Sequence, residues 1–270
     1  MIIINDTFLS VKSESSSKGN QLKFYKDGCW FKLDNDRCHE GLAEEIASLF
    51  ASCIIDFPYV PYQATGFSYN DESYLGCFSK NMYTPTTEFI SLRRLFKQNN
   101  HPLNMFIKDD NVAVNIRNVV ETVGKDTGIN IFPYFNRLLY FDTLILNEDR
   151  HYMNLGIAYD KSNGFMQAAC FDNGSSLFCT NWTYRKTKSL EENLQSAKSV
   201  ARPFSKFYDK QILALQQLGA KPLLIRKLNL DKLFENYHSP IYSQEQQELA
   251  LSVLKARLDY NKDKGVFVYV

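Results

Sequence analysis

Residues 141–177, FDTLILNEDRHYMNLGIAYDKSNGFMQAACFDNGSSL, set two acidic and amide-rich clusters inside apolar sequence, and any fold for this chain has to accommodate their charge. The first cluster is Asn147, Glu148, Asp149, Arg150 and His151 with Asn154; the second is Asp172, Asn173 and Gly174. Phe141, Leu144, Ile145 and Leu146 lead into the first, and Ala168, Ala169, Cys170 and Phe171 into the second. An ionised carboxylate among core residues costs several kcal/mol unless a cation or a hydrogen-bond donor satisfies it. A divalent metal is one such partner. Asn154 and Asp172, joined by a hairpin of two short strands, would supply hard oxygen donors of the kind Mg²⁺ takes while it keeps phosphate oxygens and water. Asp and Asn are also ordinary turn residues, so the clusters acquire meaning only from the chain around them.

Asp149 precedes Asn154 by five positions. That is the Asp-x-x-x-x-Asn spacing of the protein-kinase catalytic loop, in which the Asp orients or accepts the proton of the attacking hydroxyl and the Asn holds metal. Asp172 and its Gly-containing turn follow eighteen residues after Asn154, beyond a strand-turn-strand pattern. Residues 131–146 are apolar nearly all round and predict a buried helix, too short to span a bilayer, that delivers the chain into Asn147.

Upstream, residues 2–11 predict a strand. Residues 12–20, KSESSSKGN, predict a loop: Ser15, Ser16, Ser17, Lys18, Gly19 and Asn20 could cradle phosphates with backbone amides, or form an ordinary surface loop. Apolar runs on either side of Lys26, Asp27 and Gly28 predict a β-hairpin. Its second strand carries Lys32 between Phe31 and Leu33, on the face of Trp30 under strict alternation. A strand lysine is more often on a solvent face. The next segment argues for a partner instead: residues 39–54 put Leu42, Ile46, Leu49, Phe50 and Cys53 on one helical stripe, with Glu44 and Glu45 in reach. A strand lysine paired with a helix glutamate positions ATP phosphates in kinases. Periodicity does not choose between the two acids, because Glu45 flanks the stripe and Glu44 points away from it.

Strands are predicted at 61–69 and 73–79, then helices at 86–98, 188–200, 206–218, 222–236 and 243–261, the last with Ser243 as N-cap. The shift from strand to helix near residue 80 predicts a nucleotide-binding lobe over 1–80 and a catalytic helical lobe over 81–270. Residues 76–81, with Cys77, Phe78 and Ser79, are then the expected hinge against which an adenine ring would hydrogen-bond. The expected class is α+β, a two-lobed protein-kinase-like fold with a β-rich N-lobe and a mainly helical C-lobe.

Composition narrows the partners. A chain of 270 residues, 44% of them hydrophobic, has enough apolar side chains for a proper core. Its 31 basic and 30 acidic residues leave a net charge of +1, so no direct nucleic-acid binding is expected. Cys29, Cys38, Cys53, Cys77, Cys170 and Cys179 form no C-x-x-C pair and read as thiols in a reducing compartment. No run approaches a membrane span, and the opening MIIIND is too short for a signal peptide. A cytoplasmic location is expected, with leaderless secretion as an effector leaving no mark in such a sequence.

Taken in order, the serine loop, Lys32, the helix glutamate, the hinge, Asp149 with Asn154, and Asp172 resemble the HipA-like serine/threonine kinases, and in compactness their small stand-alone members. NEDRHYMN carries that family's N-x-D-x-H-x-x-N at Asn147, Asp149, His151 and Asn154, and CFDNGSSL carries its metal motif at Asp172. The resemblance implies that Lys32 contacts the α/β phosphates of ATP and that Glu44 pairs with it. It implies Asp149 as catalytic carboxylate, His151 as a brace for the loop, and Asn154 and Asp172 as Mg²⁺ ligands. It implies a protein substrate, an antitoxin-type partner, and autophosphorylation at Ser13, Ser15, Ser16 or Ser17, which stand where the family has several glycines. Two other functions use the same residues. One is a phosphotransferase acting on a small molecule or an inositol lipid, although no basic amphipathic helix suits an anionic membrane. The other is a pseudokinase serving as a binding module, although every carboxylate and amide needed for chemistry is present.

Overall fold

The computed structural model describes residues 1–11, 21–102, 111–180, 183–201 and 203–270. The loop at 12–20, with Ser13, Ser15, Ser16, Ser17, Lys18, Gly19 and Asn20, lies outside the described residues.

The N-terminal part comprises β1 (Ile2–Ile3), β2 (Leu9–Ser10), β3 (Lys23–Lys26), β4 (Cys29–Leu33), helix α1 (Glu40–Ser52), β5 (Gln63–Tyr69) and β6 (Glu72–Lys80). The six strands form one sheet in the order β1-β5-β6-β4-β3-β2, antiparallel except where β1 meets β5. The β3–β4 hairpin turns on Asp27 and Gly28, both with positive φ (48° and 75°), the conformation that a two-residue turn needs. Residues 2–11 are not one strand: the Thr7 N–H donates to Asn5 Oδ1 at 3.1 Å, and this side-chain turn separates β1 from β2.

Directly paired residues share a sheet face. Phe24, Phe31 and Phe78 therefore form a row on one face, and Lys23, Lys32 and Cys77 a row on the other. The phenylalanine face closes a small core with Ile4, Leu33 and Phe67. The lysine face meets α1.

The rest of the chain contains β7 (Thr87–Ser91), α2 (Leu92–Gln98), α3 (Val112–Thr127), α4 (Phe132–Ile145), β8 (Gly156–Asp160), β9 (Gly164–Gln167), α5 (Leu190–Ser196), α6 (Tyr208–Gln217), β10 (Leu223–Ile225), α7 (Lys227–Asn236), α8 (Gln244–Asn261) and β11 (Phe267–Tyr269). α4 is buried on almost every side, as its sequence predicts, and ends where Leu146 turns left-handed at φ 50°. α8 opens with a Ser243 capping box in which Gln246 is the reciprocal partner. Two predicted helices begin late. Residues 87–91 pair with β8, and the Ser91 hydroxyl then accepts the Arg94 N–H at 3.1 Å, so α2 starts only at Leu92. Residues 223–225 pair with the distant β11, a contact that no local periodicity reports.

α1 lies between the sheet and the C-terminal helices, touching β5 and β6 on one side and α7 and α8 on the other. A helix covered on two sides has no single buried stripe. Glu44, which the stripe analysis turns outward, is therefore 1% exposed and faces the sheet. The approach is close: a Cβ on Gly41 would lie 2.4 Å from the Gly76 carbonyl carbon of β6.

Candidate active site

The chain leaves α4 through Leu146 and enters the loop that carries Asn147, Asp149, His151 and Asn154. Arg150 anchors this loop. Its guanidinium donates from Nε and Nη2 to the two carboxylate oxygens of Asp142 in the last turn of α4, at 2.8 and 2.9 Å. It also reaches the Phe171 carbonyl and Asn173 Oδ1, both at 2.7 Å. One side chain thus ties α4, the 147–154 loop and the 171–173 loop together. Arg150 and Asp142 are each 2% exposed. Burial alone would lower the guanidinium pKa, but Asp142 outweighs it and holds it above its ordinary value.

β8 and β9 form the strand-turn-strand unit between Asn154 and Asp172 and return the chain to the same place. Asn154 Oδ1 accepts the His151 N–H at 2.8 Å, and its Nδ2 lies 3.3 Å from the Asp149 carbonyl and 3.5 Å from Asp172 Oδ2. The Asp149 N–H donates to Asn147 Oδ1 at 3.0 Å, and Asp149 Oδ2 is 3.9 Å from His151 Nε2. His151 Nδ1 in turn accepts the Met153 N–H at 3.2 Å. Asp172 adopts φ 60°, a left-handed geometry that suits Asp and Asn better than larger residues and directs its carboxylate to the sheet.

Lys32 meets that carboxylate from the sheet side. Its Nζ is 2.8 Å from Asp172 Oδ1 and 2.6 Å from Glu44 Oε1, and it sits 4.8 Å from the centre of the Tyr62 ring. The acid that pairs with it is Glu44; Glu45 instead accepts the Ala64 N–H and the Tyr237 hydroxyl. Glu44 Oε2 accepts the Asn173 N–H at 2.8 Å. Burial works against the charge on Lys32, but Asp172 and Glu44 outweigh it and hold its pKa well above the usual value. Burial likewise opposes ionisation of Asp172, yet Lys23 and Lys32 keep it well below the ordinary carboxylate range.

Two of these groups border a cavity of about 260 Å³. Lys23, Lys32 and Asp172 line it together with Lys80, and Val60, Met82, Tyr83, Phe89 and Phe171 give it an apolar, aromatic wall. Most of the expected hinge segment belongs to β6. Cys77 and Phe78 lie inside β6, paired with β4 and β5, so their backbone groups are committed to the ladders on both edges. Ser79 and Lys80 at the end of β6 line the cavity, and the linker that borders it is 81–83.

Asp172 offers a carboxylate and Asn154 an amide whose Nδ2 faces Asp172 and whose Oδ1 accepts the His151 N–H; the carboxylate and that Oδ1 are oxygens of the kind Mg²⁺ takes when phosphate oxygens and waters complete its shell. Among the described residues no group of three His, Cys, Asp or Glu side chains is placed to hold a metal by itself. Two residues escape the sequence reading. Asp142 is an acid inside a helix buried all round, a signal that is visible once Arg150 is considered as its partner. Lys23 is separated from Asp172 by most of two lobes, and only its place opposite Lys32 in the hairpin hints at it. All six cysteines are free thiols, and no helix among the described residues is long and apolar enough to cross a membrane.

No family model matches this chain, and no curated protein matches it by sequence. Its structure is similar to the crystal structure of the proinflammatory kinase CtkA of Helicobacter pylori, with a TM-score of 0.67 and 17% identity over 98% of this chain and 97% of that one. A choline/ethanolamine kinase family protein of Mesorhizobium loti aligns over 95% of this chain and 90% of its own with 10% identity, at a TM-score of 0.27. The chain has a two-lobed kinase-like fold, a curled β-sheet lobe joined to a mainly helical one.

Proposed function

We propose that this chain is an ATP-dependent serine/threonine protein kinase of the HipA-like kind, which transfers the γ-phosphoryl group of ATP to a protein hydroxyl. One observation carries the reading: a single cavity is lined by aromatic and apolar side chains and by Lys32 and Asp172, which are held by Glu44 and by Asn154, itself in contact with the Asp149 carbonyl. The fold it shares with a bacterial kinase supports it.

The apolar wall between Val60, Met82 and Phe171 takes the adenine ring, and the linker at 81–83 provides its polar edge. Lys32, fixed by Glu44, lies against the α/β phosphates. Asp172 and Asn154 would hold a Mg²⁺ ion, whose chemistry there would be to neutralise charge on the phosphate oxygens. Asp149 aligns the incoming hydroxyl with the γ-phosphorus and accepts its proton, while Asn147 and His151 hold the loop in shape. No covalent enzyme intermediate is needed. The serines at 13, 15, 16 and 17 follow as autophosphorylation sites, because a dianion in the loop before β3 would repel the ATP phosphates and lower activity.

Incubation with Mg-ATP, a mixed protein extract and, separately, inositol lipids tests the substrate class. Phosphate on protein serine or threonine, with intact mass showing added phosphate on 13–17, is the expected result. Transfer to lipid alone would replace this reading with a lipid phosphotransferase, and transfer to nothing would leave a binding module.

A further inference from the structure

α5, α6 and α8 border a second cavity, of about 520 Å³, which shares no lining residue with the nucleotide cavity. Leu194, Ala197, Ala256, Phe207, Tyr208 and Tyr260 give it apolar and aromatic walls, and Arg257 of α8 stands among them. Two arginines are buried among the described residues, and their surroundings differ. Arg150 spends its guanidinium on Asp142, the Phe171 carbonyl and Asn173. Arg257 is 6% exposed, yet its one hydrogen bond among the described residues runs from Nε to the Thr143 carbonyl at 3.1 Å. Its Nη2 is buried without an acceptor, and no described carboxylate forms an ion pair with it. The rings of Tyr208 and Tyr260, centred 5.8 and 4.8 Å away, offset part of the charge but supply no strong acceptor. Burial accordingly lowers the Arg257 pKa. A buried cation without an anion is costly, and the cavity beside it is where an anion would enter.

We propose that this cavity binds a small monocarboxylate with an apolar or aromatic body, whose carboxylate takes the free N–H donors of Arg257 and whose body packs between Phe207, Tyr208 and Tyr260. The volume suits a small molecule. Tyr260 is 49% exposed and can swing off the guanidinium, which opens Nη2 to the ligand; Asp209, which accepts the Tyr260 hydroxyl, keeps Lys264 as a partner when it does. Lys206 and Lys210 stand 5.0 and 5.4 Å from the centre of the exposed Phe207 ring and draw anions toward the cavity. Glu191 and Asp209 also line it, so a single negative charge is accepted more readily than a phosphate dianion. The site backs onto the catalytic loop, because the buried Tyr208 hydroxyl donates to the Asn147 carbonyl at 2.9 Å.

NMR titration of isotope-labelled protein with benzoate, benzamide and inorganic phosphate, without nucleotide, tests this in wild type, Arg257→Gln and Ala256→Phe. Benzoate should bind wild type saturably, with benzamide and phosphate at least about 10-fold weaker, the loss expected when a charge-assisted hydrogen bond is missing or opposed. Amide signals of α8 and of Asn147 should move together during the benzoate titration. Arg257→Gln should weaken benzoate by about 10-fold or more. Ala256→Phe, which fills the cavity and leaves Arg257 in place, should block benzoate and keeps the test open if Arg257→Gln does not fold. Wild type without saturable benzoate binding up to about 10 mM overturns the site. Benzamide or phosphate binding as tightly as benzoate, benzoate affinity unchanged in either folded variant, or signal changes confined to the nucleotide cavity overturn it as well.

Discussion

Glu44 and Asn173, 129 positions apart, are joined by a backbone hydrogen bond of 2.8 Å from the Asn173 N–H to Glu44 Oε2, while the other oxygen of the same carboxylate binds Lys32. The lysine of one lobe and the acidic loop of the other are therefore set by one side chain on α1. Any shift of α1 loosens both. Glu44→Ala should leave the Asn173 N–H and half of the Lys32 charge without a partner, a cost of about 1–3 kcal/mol in stability. Nucleotide binding should weaken with it. Denaturant unfolding and ATP titration of the variant check this, and an unchanged protein by both would refute the bridging role.

Gly41 extends the same reasoning to α1 itself. A Cβ there would meet the Gly76 carbonyl carbon at 2.4 Å and the Tyr242 hydroxyl at 2.5 Å, both of them positions with little room to move. Gly41→Ala should push α1 off the sheet, destabilise the chain by about 1–3 kcal/mol and reduce ATP affinity, because Glu44 moves with the helix. Gly28→Ala, in a turn that is open on all sides, serves as the comparison: its strain is in the backbone alone and should leave ATP affinity intact.

Asp142 and Arg150 form a buried ion pair, and removing one member leaves the other charged and unsolvated. Asp142→Ala should cost about 3–5 kcal/mol, visible as a large fall in melting temperature. Asp142→Asn, which still accepts one hydrogen bond, should cost less. A melting temperature for Asp142→Ala within error of wild type would contradict the anchoring role given to Arg150.

Asp34 predicts a pH dependence of stability. Burial pushes its pKa up to about 7, against the hydrogen bonds it accepts from the Tyr242 hydroxyl and the Gly41 N–H, both at 2.7 Å, and with Glu40 nearby adding to the rise. An unfolded Asp titrates near ~4. Between those values the native state holds a proton that the unfolded chain has released, so this contribution to stability is full below ~4 and is lost as pH rises toward 7. The slope is at most about 1.4 kcal/mol per pH unit. Unfolding measured across that window should show this fall in wild type and its absence in Asp34→Asn. An equal slope in the variant would assign the dependence to other groups.

The convergence of the 147–154 loop with Asp172 is legible in the sequence because both segments are local. Asp149, Asn154 and Asp172 lie within one stretch in which motif spacing and the length of a hairpin leave little freedom, and β8 and β9 bring Asp172 back beside Asn154. The choice of Glu44 over Glu45 is not legible. It depends on α1 being covered from two sides, which only the distant α7 and α8 decide. That the expected hinge segment is mostly strand is not legible for a related reason: β6 runs on to Lys80 because Cys29 of β4 pairs with it, and a strand's end is set by its partner. β10 escapes because its partner is the last strand of the chain. Lys23 and Asp142 each have a role through one long-range ion pair, and neither sits in a motif that would single it out.

The most direct test of phosphotransfer at this site is the transfer of labelled γ-phosphate from Mg-ATP to protein by wild type and by Asp149→Asn, with ATP affinity measured for both. The Asp149 backbone is held by the Asn147 and Asn154 contacts, which the amide variant keeps, so it should bind ATP as wild type does and transfer phosphate about 100-fold or more slowly. Equal rates for the two proteins, or no transfer by a wild type that binds Mg-ATP, would contradict the account.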